Sequence, residues 1–131
     1  MEIAIERLVA LCCLGIGLSH IFQPRAWVKL FILWREKGEV GALYTGLLQF
    51  QFGALIVSFH NVWHGIPAVV TVLGWAWTIK GLLYLTYPKH PMRMLARISI
   101  ERSWEFVVAG ALLFAIGVLI TCSLVARNAL L

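Results

Sequence analysis

The run IPAVVTVLGWAWTIKGLLYLTYP, Ile66–Pro88, decides how this chain is read. From Ile66 to Tyr87 its one charged side chain is Lys80. Roughly 20 apolar residues in a helix cross the ~30 Å hydrocarbon core of a bilayer. A cation inside such a run is costly. It normally faces a protein interior or a water-filled cavity and has a partner there. Lys80 is therefore the first candidate for a polar intramembrane site.

Three more runs share this character: about Ile3–Phe22, Val40–Trp63 and Ser103–Ala126. Glu6 and Arg7 interrupt the first, whose clean stretch begins at Leu8. Of the 131 residues, 61% are hydrophobic and only 13% are charged. Soluble domains carry about 25% charged residues. The expected fold is all-α: a polytopic four-transmembrane-helix bundle in a single membrane domain spanning 1–131. Glu2 and Glu6 replace the basic start of a signal peptide, so the first run is expected to be a retained helix. Glu6 lies too near that helix's end to serve as a mid-membrane carboxylate.

Charge sets the expected orientation. Arg25, Lys29, Arg35 and Lys37 lie between the first two runs, and Lys89, Arg93, Arg97 and Arg102 between the last two. The opposite side has only Arg7, Arg127 and the amino terminus. The positive-inside rule puts both basic segments in the cytoplasm, and both termini and the Asn61–Pro67 hairpin outside. The net charge of +5 then reflects topology and contact with anionic lipid. The basic residues flank spans, so nucleic acid is not an expected partner.

Each basic segment reads as a short amphipathic helix in the headgroup layer. In Pro24–Lys37, Trp27, Leu30, Phe31 and Trp34 fall at helical spacing opposite Arg25, Lys29 and Glu36. In Pro88–Arg102, Met94, Leu95 and Ile98 oppose Arg93 and Arg97. Pro24 and Pro88 mark where the preceding spans stop.

Slid by 64 positions, the chain aligns with itself without a gap. Gly17 meets Gly81, Pro24 meets Pro88, Lys29 meets Arg93, Gly46 meets Gly110, Phe50 meets Phe114 and Gly53 meets Gly117. Shared glycines and a shared helix-ending proline carry more information than shared leucines. The unit is span, proline, basic helix, span, with copies at about 1–64 and 65–131. Units of two spans run parallel, related by an axis along the membrane normal.

The unusual polar residues break this symmetry. Gln49 and Gln51 correspond to Leu113 and Ala115, His60 to Leu124, and Lys80 to Ile16. They gather on the second and third spans, which a tight hairpin makes neighbours. The spacing predicts that Lys80 lies near Gln49, with Glu105 or Glu39 as its counter-ion; the alternative is that it points outward and snorkels toward the cytoplasmic interface. Glu105 is the better candidate, since Trp104 and Phe106 set it inside the apolar boundary. For Gln49 the plain reading is a hydrogen bond between helices. Carboxylates at helix starts also offset the dipole, which accounts for Glu39 and Glu105 without any site.

His60 and His64, in FHNVWHGIP, are four apart. They share a face if the helix continues that far, a two-ligand arrangement for zinc or copper. Interfacial capping is the plain reading, and whether a metal binds is left open. His20 and His90 belong at the other face. Cys12, Cys13 and Cys122 show no metal-ligand spacing, so buried free thiols are expected. The chain has no Asp, which rules out a Ser-His-Asp set, and no cofactor is expected.

The stretches FHNVWHGIP and GWAWTIKGLLYLTYP resemble a pattern in small bacterial integral-membrane proteins with four predicted spans. The resemblance implies a four-helix fold and an inner-membrane location, and it carries no activity. A likeness to DoxX-type four-helix membrane proteins is one of architecture. The leading expectation is a non-enzymatic accessory or scaffold subunit that forms a homo-oligomer or joins a membrane-protein partner. The alternative is an oligomeric transporter or channel for small solutes or ions, with Lys80 and Gln49 lining its path. A second alternative is a quinone- or redox-associated subunit.

Overall fold

A computed structural model describes residues 1–130. Its helices are α1 (Glu2–Phe22), α2 (Pro24–Glu36), α3 (Gly38–Phe59), α4 (Pro67–Thr86), α5 (Lys89–Leu95) and α6 (Trp104–Ala129). One 3-10 turn, Ile100–Arg102, precedes α6, and no strand occurs among the described residues. Helices α1, α3, α4 and α6 are long and apolar enough to cross a membrane. One end of the bundle holds both termini and the α3–α4 hairpin. The other holds the connectors α2 and α5.

Local chemistry sets the breaks. Gln23 leaves helical geometry at φ −129° and ψ 51°, and Pro24 opens α2. Proline suits that position because its φ is pre-set and its missing N–H would have no helical partner. Gly38 at φ +56° reverses the chain between α2 and α3, and Gly65 at φ +63° does so before Pro67. These are left-handed conformations that only glycine adopts without strain.

Two boundaries differ from the sequence reading. The second span ends at Phe59 rather than near Trp63, because His60 is extended at φ −141° and ψ 111°. The segment Pro88–Arg102 is not one helix. It breaks after Leu95, where the Arg35 guanidinium reaches across from α2. Its Nη1 donates to the carbonyl oxygens of Leu95 at 3.0 Å, Ala96 at 3.3 Å and Ile98 at 3.0 Å. A charged donor thus satisfies carbonyls that continuing the helix would otherwise have to satisfy. Ser99 follows in an extended conformation.

The close helix pairs are α1 with α6 and α3 with α4. As the tight hairpin requires, α3 and α4 are neighbours. Both pairs meet through glycine. A methyl group on Gly17 would lie 2.7 Å from the Phe114 nitrogen and 2.8 Å from the Gly110 oxygen. One on Gly81 would collide with the Phe50 nitrogen, and one on Gly53 with the Thr78 nitrogen. Small residues let backbones approach where lipid supplies no hydrophobic drive between helices.

The main core lies toward the terminal end. Ile5, Val9, Ala10, Cys13, Ile56, Val70, Ile120 and Leu124 form it, with Phe52, Leu73 and Trp77 against it. A smaller cluster of Ala42, Tyr84 and Leu95 joins the connectors to α3 and α4. Nearby, His20 stacks on Trp27 at 4.1 Å and on Phe106 at 5.7 Å between ring centroids.

Candidate functional site

Each long helix sends one polar residue to a cluster at the terminal end: Glu6 from α1, His60 from the cap of α3, Thr71 from α4 and Arg127 from α6. Glu6, His60 and Thr71 are all at most 2% exposed. Glu6 lies in the second turn of α1, on the face that carries Ile5, Val9 and Cys13. Thr71 lies in the second turn of α4 beside Val70. Arg127, half-exposed, reaches inward from the last turns of α6.

The hydrogen bonds close on themselves. Thr71 Oγ1 donates to the Val62 carbonyl at 2.8 Å and accepts the Val62 N–H at 3.0 Å, which pins the hairpin to α4. Its single proton is then committed. His60 Nδ1, 3.0 Å away, must therefore donate to Thr71 Oγ1. His60 Nε2 faces Glu6 Oε1 at 3.4 Å. Arg127 engages both carboxylate oxygens, Nη1 with Oε1 at 3.3 Å and Nη2 with Oε2 at closer range. Its Nε also donates to the Ser123 carbonyl at 3.3 Å. A carboxylate taken out of water is costly unless its lone pairs are met. Here a two-pronged guanidinium meets them.

The residues singled out from sequence fall in different places. His60 and His64 do not share a helix face, because α3 stops at Phe59. His60 is buried, while His64 is exposed in the hairpin. Among the described residues, no three His, Cys, Asp or Glu side chains gather as a metal site. Glu105 pairs with Arg102 at 2.9 Å on the surface, because one helical turn brings the two together. Glu39 is exposed in the first turn of α3.

Lys80 and Gln49 form no hydrogen bond with each other, since Gln49 Oε1 has no partner among the described residues. Lys80 is exposed and lines a groove with Phe31, Tyr84 and Met94, on the side of α4 toward α2 and α5. Among the described residues it forms no ion pair with Glu39 or Glu105. The helical phase explains this. Gly74, Gly81 and Tyr84 put their side of α4 into the bundle, and Lys80 is turned about 100° from Gly81. Gln49 is half-buried, and its Oε1 is buried with no hydrogen-bond partner among the described residues. Gln51 is exposed near the middle of α3. His20 donates through Nδ1 to the Ile16 carbonyl at 2.8 Å inside its aromatic stack, and His90 is exposed on α5.

Sequence reasoning treated Glu6 and Arg127 as stray charges, although both lie at the end that carries His60. Compared with known proteins, the chain matches no family model, no curated protein and no solved structure.

Proposed function

We propose that the protein is a non-enzymatic assembly subunit of a bacterial inner membrane and that it works as a pair of like chains joined along α3. One observation carries this reading: the Gln51 carboxamide faces away from the bundle near the middle of a spanning helix. Gln51 follows Gly38 by about 20 Å and precedes Phe59 by about 12 Å at 1.5 Å per residue. Hydrocarbon offers such a group no hydrogen bond. The same group on a second copy offers both a donor and an acceptor, and a two-fold pair needs such a self-complementary patch. Tyr44, Leu48, Gln51, Leu55 and Ser58 are all exposed. Their alternating spacing of four and three is that of a helix–helix seam.

Polar bonds between membrane helices contribute about 0.6 kcal/mol on average and up to about 1.7. Gln51→Leu is expected to weaken pairing severalfold without lowering the stability of one bundle. The check is to count subunits by single-molecule photobleaching in vesicles over a range of protein-to-lipid ratios. Wild-type monomers at every ratio, or unchanged pairing in Gln51→Leu, would sink the proposal.

The Glu6 cluster supports an assembly role rather than a catalytic one. Its polar atoms are used on one another, leaving Arg127 half-exposed as its outer boundary.

Two further readings belong to the same proposal. The first is duplication. The Gly17–Gly110–Phe114 contact between α1 and α6 and the Gly81–Gly46–Phe50 contact between α3 and α4 occupy corresponding positions. So do Gly117 on Leu14 and Gly53 on Thr78. These correspondences support two copies whose spans pair across the repeat rather than within it. The basic connectors α2 and α5 then lie in the cytoplasmic headgroup layer.

The second is orientation, with the connector end in the cytoplasm and both termini outside. The support is the concentration of Lys and Arg at the connectors. A single Cys replacing Arg97 is expected to react only with reagent on the cytoplasmic side, and one replacing Asn61 only from outside. Reversed accessibility would overturn the orientation.

A further inference from the structure

The groove between α2, α4 and α5 encloses about 520 Å³. Phe31, Leu83, Met94, Leu95 and Ile98 give it apolar walls, and Lys80 and His90 also line it. No carboxylate lines it. Glu39 belongs to a separate pocket beside Lys89, and Glu105 is taken by Arg102. Lys80 is thus a cation in an apolar cleft with no acidic partner among the described residues. Exposed Lys89 and Arg93 on α5 add positive charge nearby.

We infer that this groove is a binding site for one anionic phospholipid. Its phosphate meets the Lys80 ammonium with His90 beside it, and the start of one acyl chain lies against Leu83, Met94 and Ile98. Charge complementarity selects this occupant. Phosphate supplies the counter-ion that the chain does not, and the acyl chain matches walls that a soluble anion would leave uncovered. Basic pockets between spanning helices hold anionic headgroups for the same reason. The ion pair also removes the cost of a lone cation near the hydrocarbon edge. The inference needs the chain to span a membrane. It does not need α3 pairing, since the groove and the Gln51 seam share no residue and either proposal can fail alone.

The test is native mass spectrometry of the full chain in mild detergent, with phosphatidylglycerol or phosphatidylcholine of identical acyl chains added. One retained phosphatidylglycerol per chain is expected, in preference to phosphatidylcholine. Lys80→Gln should lower its retention about tenfold, the effect of losing one charge-assisted contact. Met94→Trp, which fills the groove, should lower retention of both lipids. Lys29→Gln, which removes an exposed cation outside the groove, should change neither. If Lys80→Gln does not fold by circular dichroism, Met94→Trp against Lys29→Gln decides. Unchanged retention in the groove variants would overturn the inference. So would equal loss in Lys29→Gln, or displacement of the lipid by inorganic phosphate alone.

Discussion

Replacing Arg127 with Met is expected to destabilise the bundle by about 3 kcal/mol, the low end of what breaking a buried pair costs. The low end applies because the Arg127 side chain is 42% exposed while that of Glu6 is 2% exposed. Removing the arginine leaves a carboxylate inside the protein with only His60 beside it. Removing the carboxylate instead, by Glu6→Gln, frees Arg127 to turn into water and is expected to cost less, about 1–2 kcal/mol. The double variant should therefore fall short of the sum of the singles by at least about 0.5 kcal/mol. Thermal unfolding in detergent micelles measures all three. A neutral Arg127→Met, or strict additivity, would show that the cluster does not hold the terminal end together.

The parts of this fold that were legible in sequence are those that depend on neighbours along the chain. The apolar runs marked all four helices long and apolar enough to cross a membrane, and Pro24 marked the start of α2. The Asn61–Pro67 turn made α3 and α4 neighbours. The polar cluster was not legible, because its key pair is far apart in sequence and its members are ordinary singly. Glu6 looked like an interruption and Arg127 like a terminal charge. Only the pairing of α1 with α6 puts one on the other.

Lys80 was conspicuous, but its direction was not. A charge inside an apolar run says that something must meet it. Which side of the helix it takes depends on where the packing surface lies, and Gly74 and Gly81 set that surface. The internal correspondence of glycines therefore held the information that would have turned Lys80 outward. The break after Leu95 was hidden for a different reason. It depends on Arg35, some 60 residues earlier, while the local spacing of Met94, Leu95 and Ile98 favours a continuing helix.

Those glycines also define the substitution that should most directly part the helices. Gly81→Ala adds one methyl group where α4 lies against the Phe50 nitrogen and Cα. Backbone cannot rotate aside as a side chain can, so α3 and α4 must separate along their contact. Overpacking of this kind costs about 1–3 kcal/mol and occasionally more, and the upper end is expected here. Gly17→Ala meets the corresponding backbone of α6, 2.7 Å from the Phe114 nitrogen, and should lose a similar amount. Gly15 is the internal control, since a methyl group there meets nothing within 4 Å. Gly15→Ala should be neutral or stabilising by about 0.5–1 kcal/mol, because a glycine inside a helix carries an entropic cost that alanine does not. All three changes add the same atom to an apolar helix, so hydropathy and insertion are nearly constant across the set. A lowered unfolding midpoint for Gly81→Ala and Gly17→Ala but not for Gly15→Ala would isolate close backbone approach as the cause. Equal midpoints across the three would mean that the pairs α1–α6 and α3–α4 are not held at this distance.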